Sequence, residues 1–185
     1  MGSTLRRMLA CVAVSALAGC AGTDLVRPDA DTFKYGQTNY SAVVAKLGPP
    51  RQTGTLVRND RNITTISYGE TAGRAATYSF YDKLLVGSEF TSSGPADSTD
   101  FDAGRVPYIV KGKTTRAEVL QWFGKPGGYY VYPMIKTPGM QAAVYAHVET
   151  RGTAFNLRVS RKVLIVTFDT KGVVSDVEFS TGRVG

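Results

Sequence analysis

Hydrophobic positions along the chain fall into three patterns. The earliest is an unbroken apolar run of eleven residues, Met8 to Ala18 (MLACVAVSALA). A membrane-spanning helix needs roughly 20 such residues, so this run is too short to cross a bilayer. The second pattern has helical spacing. Val43, Val44 and Leu47 predict one short helix, and Val119, Leu120 and Phe123 predict another. The third has a period of two and predicts strands. Thr64, Ile66 and Tyr68 share a face, as do Tyr78 and Phe80, and as do Leu164, Val166 and Phe168. Val163 and Ile165 fill the alternate positions of that last strand, which predicts burial on both of its faces. AAVYAHVET adds a strand before it, and FDTKG (Phe168 to Gly172) reads as a hairpin turn after it.

The two helical segments are copies of one pattern. YGQTNYSAVVAKLGPP (Tyr35 to Pro50) aligns without gaps on KGKTTRAEVLQWFGKP (Lys111 to Pro126). Gly36, Thr38, Val43, Gly48 and Pro50 match Gly112, Thr114, Val119, Gly124 and Pro126. Each copy has a Thr placed to cap a helix start, and Thr115 with Glu118 fits a capping box. A Gly follows each helix as a stop, with a Pro two residues later. The tails SEFTSSG and DVEFSTG are also alike, so the expected repeat is a helix followed by about three antiparallel strands. Thr91 to Pro107, rich in Ser, Asp, Gly and Pro, reads as the link between the copies.

The N-terminal run changes this picture from a repeat to an exported repeat. Arg6 and Arg7 precede it, and Leu17-Ala18-Gly19-Cys20 ends it. A charged start, a short apolar stretch and a small-residue end are the parts of a secretory signal. The box before Cys20 resembles the lipobox of bacterial lipoproteins. That resemblance implies cleavage between Gly19 and Cys20 and a diacylglycerol and an N-acyl chain on Cys20. Ala21, where an Asp would imply inner-membrane retention, implies the outer membrane. Cys11 would leave with the signal, and Cys20 would remain as the one mature cysteine. Net charge falls from +7 to +5 without Arg6 and Arg7, with 20 basic and 15 acidic residues left. Those basic residues are scattered among acids, unlike a nucleic-acid-binding stripe.

Candidate chemistry is sparse. His147 is the single histidine, on a strand with no clustered ligands beside it in sequence. Asp97, Asp100 and Asp102 alternate in the link, but DSTDFD lacks the glycine and terminal Glu of a calcium loop. GKTT lacks the Gly-rich stretch of a phosphate-binding loop, and no serine lies in Gly-x-Ser-x-Gly. These features predict a non-enzyme without cofactor or metal. One stretch stands out as a contact surface. GGYYVYPMIKTPGM places Tyr129, Tyr130, Tyr132, Met134 and Ile135 between Gly and Pro breakers, with a strand covering the core as the alternative.

Gly-x-Thr, a short apolar helix, Leu/Phe-Gly-x-Pro and strands ending in Phe-Asp-x-x-Gly-Val together resemble the SmpA/OmlA (BamE-like) outer-membrane lipoproteins. Two copies in tandem resemble the β-lactamase inhibitor protein superfamily. The resemblance covers most of residues 33 to 182 and implies an α+β fold. Two tandem modules are expected, each of short helices packed on a three-stranded antiparallel sheet. The expected organisation is a signal peptide over 1–19, a lipidated tether over 20–32, modules over 33–94 and 108–185, and a linker over 95–107. The implied role is non-catalytic protein binding to envelope partners in outer-membrane protein assembly or envelope integrity, on the periplasmic side. The alternatives are a periplasmic enzyme inhibitor or a lipoprotein component of a secretion apparatus. The anchor reading has a direct check. Cys20→Ser is expected to abolish lipidation and to shift the protein from the outer-membrane fraction to a precursor or soluble pool, measured by fractionation and mass spectrometry.

Overall fold

The computed structural model describes Leu25, Arg27 and residues 32–69, 73–152, 156 and 158–184. Gly19 and Cys20 lie outside the described residues. The order of elements is α1 (Tyr40–Leu47), β1 (Gln52–Arg58), β2 (Arg61–Gly69), β3 (Arg74–Tyr81) and β4 (Leu84–Ser92). A 3-10 turn (Ala103–Tyr108) and α2 (Arg116–Phe123) follow, then β5 (Gly128–Val131), β6 (Gln141–Arg151), β7 (Arg158–Phe168) and β8 (Val174–Val184).

All eight strands form one antiparallel sheet in the order of the chain, β1 to β8. The sheet curls into a half-barrel, and this overturns the expected fold of two separate modules on three-stranded sheets. Each helix instead precedes four strands. The strand missed in the first half is β1. Its sequence, QTGTLVR, lacks a period-two apolar face because the strand is exposed along nearly its whole length. Asn59-Asp60 and Asp82-Lys83 then make two-residue turns with positive φ at every central position, joining β1 to β2 and β3 to β4. Such turns match the right-handed twist of the strands they join.

What fuses the halves is the pairing of β4 with β5. The Phe90 amide donates to the Gly127 carbonyl at 3.0 Å. A Cβ on Gly127 would stand 2.4 Å from the Phe90 carbonyl oxygen, and one on Gly128 would stand 2.0 Å from that of Ser88. Only glycine allows the two backbones to approach this closely. Joining the halves also removes two internal sheet edges, whose unpaired amides and carbonyls would otherwise stand open.

The copied segments do the same work in both halves. The Gly36 amide donates to the Leu85 carbonyl at 2.7 Å, and that of Gly112 to the Val174 carbonyl at 2.8 Å. The Thr38 and Thr114 hydroxyls each accept a backbone N–H four residues earlier, at 2.9 Å. Tyr68 donates its hydroxyl to the Gly48 carbonyl at 3.0 Å, and Tyr145 donates to that of Gly124 at 3.1 Å. The N-caps differ: Asn39 caps α1, while Thr115 and Glu118 close the expected capping box on α2.

Both helices lie on one face of the sheet. Val43 of α1 packs with Phe33, Ile66, Tyr78, Phe80 and Phe90. Val119 and Phe123 of α2 pack with Tyr145, Leu164, Val166 and Phe168. The link belongs to this packing. Phe101 is buried in the second cluster, the Ser92 amide donates to the Thr99 hydroxyl at 3.1 Å, and the Thr99 amide donates to the Ser92 carbonyl at 3.0 Å. Ser92 donates to Asp97 at 2.6 Å and Arg74 pairs with the same carboxylate at 2.9 Å. The Ser92 hydrogen bond first, and then Arg74, hold the Asp97 carboxyl below the usual range. The β7–β8 turn forms as expected, with the Asp169 carboxylate accepting the amides of Lys171 and Val173, both at 2.9 Å.

Two glycines separate close approach from ordinary strand propensity. Gly128→Ala is expected to cost about 3 kcal/mol, the upper end of overpacking, in urea denaturation. Gly182, with nothing within 4 Å of an added Cβ, should accept Ala with a change under about 0.5 kcal/mol.

Candidate functional site

The face of the sheet away from the helices is the inside of the curl. Direct cross-strand pairs place Leu56 beside Ile63, Thr65 beside Ser79, Thr77 beside Glu89, Gly87 beside Tyr130, and Ile165 beside Glu178. Leu56, Thr65, Ser79, Thr77, Glu89, Tyr130, Ile165 and Glu178 of these pairs line a trough of about 850 Å³, with Arg58, Met134, Arg161, Val163 and Ser180 among its other walls. Its surface is mixed, with apolar residues from β1, β7 and β8 and hydroxyls from β2, β3 and β8.

Charges sit in it as linked pairs. Glu89 is 14% exposed at its side chain. It accepts the Arg161 guanidinium at 2.6 Å and the Tyr130 hydroxyl at 3.2 Å. A carboxylate this sheltered needs such partners to remain charged. Burial first, and then the negative charge of Glu89 and its hydrogen bond, push the Tyr130 phenol well above its ordinary value. It therefore stays a donor to Glu89. Tyr130 is seated by Gly87, where a Cβ would stand 2.8 Å from the ring. Arg58 donates to Glu178 at 2.6 Å and to the Met134 carbonyl at 3.0 Å. This first contact runs between β1 and β8, the two outer strands of the sheet, and measures how far the sheet has curled.

The segment expected to be a contact loop divides between the two faces. Tyr129 turns to the helix side, half-buried, with its ring 6.3 Å from that of Tyr35. Tyr130 turns into the trough. Met134 and Ile135 are 4% and 2% exposed and pack with Ile63, Val86, Ala142 and Val144, closing one end of the trough. Tyr132 is half-buried and bonded to Arg61. The Asn59 amide donates to the Pro133 carbonyl at 2.9 Å, tying this plug to the β1–β2 turn. The segment thus shapes the site more than it protrudes from it.

Glu89, Arg161, Arg58 and Glu178 were not picked out by sequence reasoning. Glu89 carries a faint signal, an acid inside an otherwise uncharged strand. Its partner lies 72 residues away, and Arg58 and Glu178 are 120 apart. His147 is half-buried, with Nδ1 3.4 Å from the Thr99 hydroxyl. Among the described residues no group of three or more His, Cys, Asp or Glu could hold a metal ion. The arrangement offers an open, mixed surface with fixed donors and acceptors, suited to binding.

No protein-family model matches the chain, and no curated protein matches it. Among solved structures, the chain is similar to a Streptococcus mutans protein described as a "putative beta-lactamase inhibitor protein". The identity is 10% and the TM-score 0.43, with 84% of this chain and 89% of that one covered. The resemblance to SmpA/OmlA lipoproteins accordingly rests on the motifs quoted above.

The linked charges have a measurable weight. Tyr130→Phe removes one of two partners of Glu89 and is expected to lower stability by about 2 kcal/mol in urea denaturation.

Proposed function

We propose that the chain is an outer-membrane lipoprotein, anchored through Cys20 and facing the periplasm, that binds another envelope protein in the trough of its curled sheet. The role we assign is non-catalytic, in outer-membrane protein assembly or envelope integrity. The observation that carries the binding reading is the trough itself. Leu56, Val57 and Phe179 are large apolar side chains left exposed, at 38%, 70% and 41%, and all three border it. A rim of exposed apolar residues around polar, paired charges is the composition of a protein contact surface. The occupant that fits is a protruding loop with an apolar tip and polar flanks. Its tip would meet Leu56, Val163 and Ile165, and its flanks the hydroxyls of Thr65, Thr77 and Ser180. Glu89 is committed to Tyr130 and Arg161, which supports binding over acid–base work at this carboxylate. The lipobox supplies the location, and the Gly-x-Thr…Gly-x-Pro repeat supplies the assembly context.

Photo-crosslinking in cells tests this. A benzoylphenylalanine at position 56 or 180 is expected to give adducts with the outer-membrane assembly machinery. The same probe at Leu120, exposed on α2, is expected to give none of these adducts. Adducts with a periplasmic hydrolase would favour the inhibitor role instead. No envelope-protein adduct from either trough position would overturn the reading.

A further inference from the structure

Two residues shortly after Cys20, Leu25 and Arg27, are attached to the body of the protein. Leu25 is 8% exposed and packs in the α1 cluster. Two residues later, Arg27 donates to three backbone carbonyls, those of Lys125, Asp97 and Ser98, each at 3.0 Å. Its guanidinium also lies 5.7 Å from the centre of the Phe90 ring. The chain is therefore held to the body at Leu25 and at Arg27, on the helix side. Only four residues separate Cys20 from Leu25. Fully extended, they let the two Cα atoms stand no more than about 17 Å apart.

The stretch of chain around α1, against which Leu25 packs, is basic. Phe33 through Asn59 contains no acidic residue. Lys34, Lys46 and Arg51 stand exposed there, and α1 has no acid in its first turn. Clustered cations close to a bilayer are drawn to headgroup phosphates, at about 1 kcal/mol for each Lys or Arg near the surface. The trough opens on the opposite face of the sheet.

From the short attachment and this charge we infer that the α1 face lies against the lipid headgroups of the membrane that holds Cys20, with the trough turned away toward the periplasm. The inference rests on the lipid-anchor reading. The orientation presents the binding face to partners and keeps it clear of lipid, which a long flexible tether would not do.

The test uses the mature lipidated protein, in which an introduced cysteine is the single free thiol once Cys20 is acylated. Ala45→Cys on α1 and Ser180→Cys in the trough, both at exposed positions, each carry a fluorophore. The protein is reconstituted into phosphatidylethanolamine–phosphatidylglycerol vesicles containing headgroup nitroxide lipids. Quenching is expected to be several-fold stronger at position 45 than at 180. The double variant Lys34→Glu, Lys46→Glu should narrow the difference, and a long Gly/Ser insertion after Thr23 should abolish it. Equal or reversed quenching in a sample whose mass shows acylated Cys20 overturns the orientation and leaves the anchor reading standing. A difference untouched by the charge reversal overturns the headgroup contact. A mature chain with unacylated Cys20 removes both.

Discussion

The close approach of β4 and β5 is the constraint on which the rest of this molecule depends. Gly127 and Gly128 let the second half of the chain lie against the backbone of Phe90 and Ser88. Without that approach there would be two four-stranded sheets, each with an exposed edge and a helix on one side. With it there is one sheet of eight strands, long enough for its twist to build into a curl. The curl brings β1 within salt-bridge distance of β8 and creates an inside. The trough is thus a property of the fusion, and neither half contains it.

The two faces of the sheet are stabilised in different ways. The helix face is a conventional core, in which aromatic rings meet edge-on, as in Phe33–Tyr78 and Phe101–Phe123. The inner face is closed at one end by Met134 and Ile135 and is polar toward its opening. The Arg58–Glu178 pair is about a third exposed on both sides and adds little stability of its own. Glu89 differs, because its shelter makes Tyr130 and Arg161 necessary to it. Lys162 plays a comparable part at the link. It pairs with Asp100 at 2.6 Å, donates to the Phe101 carbonyl and lies 4.6 Å from the Phe101 ring centre. The connecting segment is thereby held against β7 and covers the second core.

Arg27 touches the same junction from the other side. Its acceptors come from the link and from the second residue after α2, and its ring contact comes from β4. Arg27 is therefore part of the packing that joins the halves.

The sequence by itself determined the elements whose signal is local. Val119 and Phe123 at helical spacing, the Thr115–Glu118 cap, the Asp169 turn and the double-sided β7 all follow from neighbours within a few residues, and each appears where its pattern places it. The repeat was legible for the same reason, since Gly36 and Gly112 mark equivalent hydrogen bonds. Tertiary structure alone decided how the copies combine. β1 has no apolar alternation because it faces solvent, so its pattern is silent, and the copies' sheets merge through glycines whose need is visible only across strands. The aromatic segment around Tyr130 left a contact loop and a core-covering strand both open, because a local pattern records apolarity and not the partner that meets it. The pairs Glu89–Arg161 and Arg58–Glu178 are contacts of distant residues, and distance along the chain carries no information about them until the sheet has curled.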